Sequence, residues 1–418
     1  MIINPITFGG GNAGDIIKPY AERSGTISLK DNKVSYVASS AFMGDYGWSS
    51  LLTEVSFPNC TTIGASAFFG CSMLSKAYFP NCTTLGSSYG NNSVFNSCFR
   101  LESLTLGVSN LSSAGWFQIY IGSLYSFPMF ASGILFLSLA NCSVITQNAF
   151  ATGRTLKEVY MPNCTEIERN AFYYCENLSK VSYPLCSTLG DAAFLNCRML
   201  SDVYLPLCTE IPDNCFAGCG FNSEHSFITG AITSIGSSGF NGCMNLNSIN
   251  LLQCSSIGAY AFHSCALLSV DAPLINTILE NTFDGNIIST VNIPSCVIIG
   301  SYAFAGNYVL ESVNAPLVTT IESYAFQSCR ARLQTLSFPH LLSIRSGAFS
   351  DCWNLISLYL LGGTVCKLQN GSCFTSTPIG GYSTSAGQYG SVYVPSSLLA
   401  TYKAASYWKT ISARIVGI

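Results

Sequence analysis

Apolar residues fall at alternating positions in short stretches spread along this chain. Val181-Ser182-Tyr183 and Val203-Tyr204-Leu205 are two examples. Such alternation predicts a short strand with one buried face, because successive side chains on a strand point to opposite sides. Proline follows at Pro184 and Pro206. It has no N–H to give to a ladder, so it ends the strand. A cysteine stands two residues later, small and apolar enough to enter an interior. Next comes Leu or Ile, often followed by glycine, as in Ile63-Gly64 and Ile257-Gly258. That glycine is expected to permit a backbone turn. An Ala-Phe pair then brings the chain back, with the ring filling the core, and a second cysteine closes the coil.

The whole pattern recurs. Phe150, Phe172, Phe194 and Phe216 are 22 residues apart, and Phe240, Phe262, Phe283, Phe304, Phe326 and Phe349 continue at 21 to 24. Cys164, Cys175, Cys186, Cys197, Cys208 and Cys219 follow at intervals of 11. A constant interval places these residues at equivalent points of stacked coils, none of which can bury its apolar face alone. The form L-x-x-V-x-[LY]-P-x-C resembles the leucine-rich repeat. Ile63-Gly64-Ala65-Ser66-Ala67-Phe68-Phe69-Gly70-Cys71-Ser72-Met73-Leu74 and Ile257-Gly258-Ala259-Tyr260-Ala261-Phe262-His263-Ser264-Cys265 resemble the BspA-like group of such repeats, and the likeness spans about residues 35 to 360. Val392-Tyr393-Val394-Pro395, with the stretch Leu398 to Trp408 after it, resembles that group's strand-then-helix terminator.

The expected fold is an α/β repeat: a right-handed leucine-rich-repeat solenoid with short parallel strands. It would have about fourteen coils of about 22 residues and a C-terminal helical cap. Residues 1–30 are expected to form an N-terminal cap segment, 31–360 the solenoid, and 361–418 a repeat remnant with a strand and capping helix. Ser396 or Ser397 is expected to cap that helix, with Leu398, Leu399 and Tyr402 on its inner side. The resemblance implies a noncatalytic binding or adhesion protein that recognises a host or cell-surface protein or glycan. It carries no catalytic motif and implies no cofactor. Related arrays also occur in phage and prophage structural proteins, so a structural or receptor-binding component of a phage-like particle is the alternative.

Charge narrows the picture. Lys and Arg number 18 against 21 Asp and Glu, a net charge of −3. That argues against nucleic acid, whose phosphates call for a dense basic face. Charged residues are only 9% of the chain, so the surface must rest on Ser, Thr, Asn, Gly and Tyr. No apolar run approaches the roughly 18 residues needed to cross a bilayer. The first residues lack the basic flank and apolar stretch of a signal peptide. Cell surface or virion is the favoured location, with the cytoplasm also open.

Other candidate chemistry reads as structural. The twenty cysteines form two columns, one after Pro and one after Phe. Neighbours in a column would be ~4.8 Å apart, longer than the ~3.5–4.5 Å Cβ separation of a disulfide, and no C-x-x-C pair exists for zinc. Buried free thiols are expected. Gly9-x-Gly11-x-x-Gly14 matches a dinucleotide fingerprint, but Pro19 and the lack of a βαβ pattern make it a flexible N-terminal segment. His225, His263 and His340 are scattered and read as surface or turn residues. Glu166 and Glu168 read as an exposed turn. The glycosylation sequons at Asn59, Asn81, Asn141 and Asn163 arise from the repeat itself.

Two candidate binding features remain. One is the exposed strand column between the two buried residues of each coil. It includes Tyr78, Tyr160 and Tyr204, then Asn250, Asp271, Asn292, Asn314 and Tyr359. Glu158, Lys180 and Asp202 sit beside it on successive coils, where opposite charges can pair. The other is the excess between Leu106 and Leu137, which carries Trp116, Phe117, Tyr120 and Tyr125. It reads either as a satellite core or as a binding protrusion. The period also breaks at 86–95 and 220–233.

Overall fold

The structure, a computed structural model, describes residues 27–43, 51–86, 94–95, 98, 100–108, 135–221 and 227–418. The insert residues Trp116, Phe117, Tyr120 and Tyr125, the Gly9–Gly14 string, most of the 1–30 cap segment and His225 lie outside them. The chain divides into two compact units, one holding Met1–Leu207 with Ser226–Ile228 and the other Cys208–His225 with Thr229–Ile418. The boundary falls at the third break in the repeat. Each unit is a parallel β-solenoid, and the chain makes about 15 turns in all.

In the first unit the predicted strands run Ile27–Lys30, Leu52–Ser56, Lys76–Phe79, Ser103–Leu106, Phe136–Leu139, Glu158–Tyr160, Lys180–Ser182 and Asp202–Leu205. They pair in that order, all parallel. Register sets like against like: Ser56 faces Tyr78, Tyr78 faces Thr105, Thr105 faces Ser138, and Ser138 faces Tyr160. Lys76–Phe79 alternates exposed and buried residues, as the hydrophobic pattern requires. In the second unit Ser269–Asp271, Thr290–Asn292 and Ser312–Asn314 form one sheet. Thr335–Ser337, Ser357–Tyr359, Ser391–Val394 and Ile415–Gly417 form another.

The returning arm of each coil holds no α-helix among the described residues, although the last one includes a 3-10 segment, Gly371–Phe374. The arm carries a second, two-residue strand, such as Val144–Ile145, Glu166–Ile167 and Thr188–Leu189 in parallel. It then passes through two left-handed residues. One precedes the Ala-Phe pair, as at Ser66, Asn170 and Tyr302 (φ 56° each); the other follows Phe by two, as at Tyr174 (φ 56°) and Ser328 (φ 62°). Left-handed backbone is unfavourable for residues with a Cβ, above all bulky ones. Here hydrogen bonds to the next coil hold it. Asn170, Phe172 and Tyr174 donate their N–H groups to the carbonyls of Asp191, Ala193 and Leu195 at 3.0, 2.7 and 2.8 Å.

These positions, and not Gly64 or Gly258, make the turn. Neither glycine has a positive φ. A Cβ on Gly64 would lie 2.3 Å from the Ser39 nitrogen, and one on Gly258 would lie 2.4 Å from the Ser237 nitrogen. The glycines admit the neighbouring coil's backbone, which corrects the turn role expected of them.

The phenylalanines stack through each interior. Phe42 and Phe68 are 4.9 Å apart with planes 3° from parallel, and Phe326 and Phe349 are 5.6 Å apart at 4°. Burying one such ring contributes roughly 1.5–3 kcal/mol.

At the C-terminus a short 3-10 segment, Ser396–Leu398, leads into the helix Leu399–Ala404 and a second 3-10 segment, Trp408–Arg414. Neither Ser396 nor Ser397 caps a helix with its side chain. Leu398 and Leu399 are only half-buried, whereas Tyr402 and Trp408 are buried completely. Trp408 lies 5.9 Å from Phe374, the last ring of the stack. Its Nε1 donates to the Cys366 carbonyl at 2.7 Å, and the Tyr402 hydroxyl accepts from the Cys366 N–H at 3.0 Å. The aromatic pair therefore plugs the core while serving the exposed backbone of the last coil.

Candidate recognition face

All twenty cysteines are buried and none forms a disulfide. Their two columns do different work. After Phe, the thiol donates to the carbonyl of the previous coil's phenylalanine: Cys71 to Phe42, Cys98 to Phe68 and Cys175 to Phe150, each at 3.0 Å. Two coils of the second unit have asparagine instead, and its amide does the same. Asn286 Nδ2 reaches the Phe262 carbonyl at 2.7 Å, and Asn307 Nδ2 the Phe283 carbonyl at 2.9 Å. After Pro, the thiol closes a local turn, as from Cys60 to the Thr62 carbonyl at 3.2 Å. There the replacements are Ile275, Val318 and Leu341, all buried. The first column needs a donor; the second needs bulk. Burial pushes the thiols of Cys71, Cys82 and Cys366 up to about 12 and that of Cys296 to about 11. Protonated and covered at neutral pH, they are poor nucleophiles.

The acidic and histidine candidates also resolve into structural contacts. Glu168 Oε2 accepts the Gln147 N–H at 2.6 Å, so it holds a neighbouring turn and forms no acid–base pair with Glu166. His263 is half-buried, with Nε2 3.3 Å from Asp284 Oδ2 and Nδ1 3.2 Å from Asn241 Oδ1. Burial holds the Asp284 carboxyl above the usual carboxylate range. His340 is exposed. The sequon asparagines bridge coils, as Asn81 Nδ2 does to the Pro58 carbonyl at 2.8 Å and Asn163 Nδ2 to that of Ala140 at 2.8 Å. Among the described residues no group of His, Cys, Asp and Glu is arranged to hold a metal ion.

The outer face of the long strands is different. In the first unit Tyr78, Tyr160 and Tyr204 are 47%, 56% and 39% exposed, with Thr105, Ser138 and Ser182 among them. In the second unit the amide ladder is hydrogen-bonded in series. Asn292 Nδ2 donates to Asp271 Oδ1 at 2.7 Å, and Asn314 Nδ2 donates to Asn292 Oδ1 at 2.7 Å. Asn250 stands apart from it. Its coil forms no long strand, and its Oδ1 accepts the Leu252 N–H at 3.1 Å. Tyr359 stacks on Tyr393, with centroids 4.6 Å apart. Tyr393 was not among the expected site residues. Carrying the strand-Pro pattern past residue 360 to Val392-Tyr393-Val394-Pro395 would have found it.

Of the expected charge pairs, Lys180 joins Asp202, Nζ to Oδ2 at 3.6 Å. The Glu158 carboxylate, although its residue is in register with Lys180, has no hydrogen-bond or ion-pair partner among the described residues. It lies in a cleft of about 290 Å³ on the first unit's outer face, together with Tyr160, Phe136, Ser138, Thr105 and Ser103. Phe136 also went unread from the sequence, although it precedes the half-buried, outward-facing Ser138 by two and so shares its side of the sheet.

Parallel long strands, a second short-strand column and ladders of equivalent residues define a leucine-rich-repeat solenoid. The family model described as "BspA type Leucine rich repeat region (6 copies)" matches residues 25–134, 132–247, 233–356 and 276–383. The chain belongs to this family, which is generally a noncatalytic binding scaffold. A leucine-rich repeat protein from Bacteroides ovatus has the same fold. Its TM-score is 0.54 at 19% identity, over 95% of this chain and 91% of that one. A leucine rich cell surface protein from Faecalibacterium prausnitzii is similar at 0.36 and 19%, over 92% and 87%. The pneumococcal vaccine antigen PcpA is similar at 0.35 and 12%, over 75% and 84%. No curated protein matches the chain. Among the described residues no helix is long and apolar enough to cross a membrane.

Proposed function

We propose that this protein is a noncatalytic adhesin-type recognition protein that binds a protein ligand through the outer face of its long strands. One observation carries the reading: Tyr78, Tyr160 and Tyr204 present large aromatic rings to solvent at positions where the fold requires none. Tyrosine offers contact area with few rotors to immobilise, which suits recognition. The candidate contacts are these three, with Asp271, Asn292, Asn314 and Tyr359 in the second unit. None of the relatives named above is a phage protein, and the particle alternative has no observation in its favour.

The test is binding of labelled full-length protein to fixed host epithelial cells, with and without prior protease treatment of the cells. Protease-sensitive binding that falls about tenfold in the double variant Tyr160→Ala, Tyr204→Ala supports the reading. Binding that resists protease but is lost on glycosidase treatment would replace the protein ligand with a glycan. Binding unchanged in the double variant would remove the tyrosines from the site.

A further inference from the structure

The cleft around Glu158 is built by a regular grid. Ser103, Phe136 and Glu158 are in register across three neighbouring strands, and Thr105, Ser138 and Tyr160 are in register beside them. All six lie on the outer face, since residues two apart on a strand share a side. The two large rings stand diagonally on adjacent strands, and the positions around them are the hydroxyl residues Ser103, Thr105 and Ser138 and the carboxylate of Glu158. The cleft exists because nothing bulky separates Phe136 from Tyr160. Both rings are open to solvent, at 47% and 56% exposed. Glu158 is half-buried. Its natural partner, Lys180, is held by Asp202.

We infer that this cleft takes an arginine side chain of a protein partner, clamped between Phe136 and Tyr160 and paired with Glu158. Diagonal positions on adjacent strands are about 7–8 Å apart. A flat group needs roughly 3.5–4 Å to each ring, so positions spaced this way leave room for one planar guanidinium between their side chains. Ring faces attract cations, and the guanidinium is weakly hydrated and presents a donor fork that matches a carboxylate. Ser103, Thr105 and Ser138 supply hydroxyl acceptors for its remaining N–H groups. The chain already uses this chemistry on itself: the guanidinium of Arg330 lies 4.6 Å from the Trp353 ring centroid, and that of Arg414 lies 4.1 Å from the Tyr389 ring centroid. A neutral ligand would leave the one unpaired carboxylate of the cleft unanswered.

The inference rests on the recognition reading above and assigns a partner chemistry to one part of that face. The probe is the capped peptide acetyl-Gly-Arg-Gly-amide, titrated into the full-length protein and read by saturation-transfer NMR. The control is the same peptide with citrulline, which keeps the shape and loses the charge. Saturable binding at about 1–10 mM is expected, at least about tenfold weaker for the citrulline peptide. Glu158→Gln and Phe136→Ala should each weaken it several-fold, whereas Tyr308→Ala, an exposed residue of the second unit outside the proposed contacts, should leave it unchanged. Equal binding of the citrulline peptide would overturn the inference. So would undiminished binding in Glu158→Gln, or no saturation by about 20 mM. Saturable binding of lactose that survives Glu158→Gln would also overturn it, in favour of sugar stacking. The probe is read on purified protein, so its failure leaves the cell-binding reading standing. Loss of cell binding with the probe retained does the reverse.

Discussion

Two polar ladders climb the second unit, one inside and one outside. Inside, Cys243, Cys265, Asn286, Asn307, Cys329 and Cys352 each donate to the phenylalanine carbonyl of the preceding coil. Outside, Asn314, Asn292 and Asp271 hand one hydrogen bond along the strand face. Both ladders recur with the repeat. Only the inner one is required by the fold, because a buried carbonyl without a donor costs about 1–3 kcal/mol, whereas water can replace an exposed partner. Cys gives way to Asn inside because both can donate. Repetition of a polar residue therefore does not reveal its purpose; burial does.

The largest break in this comparison should come from alkali, which acts on the inner ladder and leaves the outer one alone. Burial raises the Cys243 and Cys329 thiols of that ladder well above 9.0, and Cys71, in the same column of the first unit, to about 12. The folded state holds these protons more tightly than the unfolded state. Stability is therefore fully present below about pH 9 and is lost as pH rises from there to about 12. Urea midpoints measured by circular dichroism across pH 8 to pH 11 should fall steadily above about pH 9, and a flat profile would contradict the burial of the thiols. Phe304→Ala comes next. It opens a gap in the ring stack and should cost about 3–5 kcal/mol in denaturant unfolding. Asn307→Leu should cost about 1–3 kcal/mol by the same measurement, because the buried Ile288 N–H loses its acceptor and the Phe283 carbonyl its closer donor, while Asn307→Cys should recover the donor's share. Cys296→Val lies in the column where only bulk is needed, and it should cost less than about 1 kcal/mol. Smallest of all, Asn292→Ala on the outer ladder should change stability by no more than about 0.5 kcal/mol. A loss there as large as that of Asn307→Leu would erase the distinction between the ladders.

Much of this was legible along the chain. Alternation at Val203-Tyr204-Leu205 told which side chain faces out, because a strand has a period of two. The constant Phe interval told that the rings hold equivalent places in the core. Three features were misread or missed, each for a physical reason. Gly64 and Gly258 looked like turn makers, but the constraint on them comes from a coil one period away. Asn250 fits the column by spacing, yet its coil forms no long strand and its side chain turns to its own backbone. Ser396 and Ser397 look like helix caps, but the chain closes its last coil with Tyr402 and Trp408, since an apolar stack needs a large plug more than a helix needs a side-chain acceptor.

The sequence by itself determined the repeat, the inner and outer sides of each strand, the two thiol columns and the family, because all of these follow from local periodicity multiplied along the chain. Tertiary structure decided which equivalent residues meet. Lys180 lies between Glu158 and Asp202 by spacing, and only its position in space joins it to Asp202 and leaves the Glu158 carboxylate open beside Phe136 and Tyr160. That choice depends on side-chain direction across neighbouring strands, which a linear pattern does not encode.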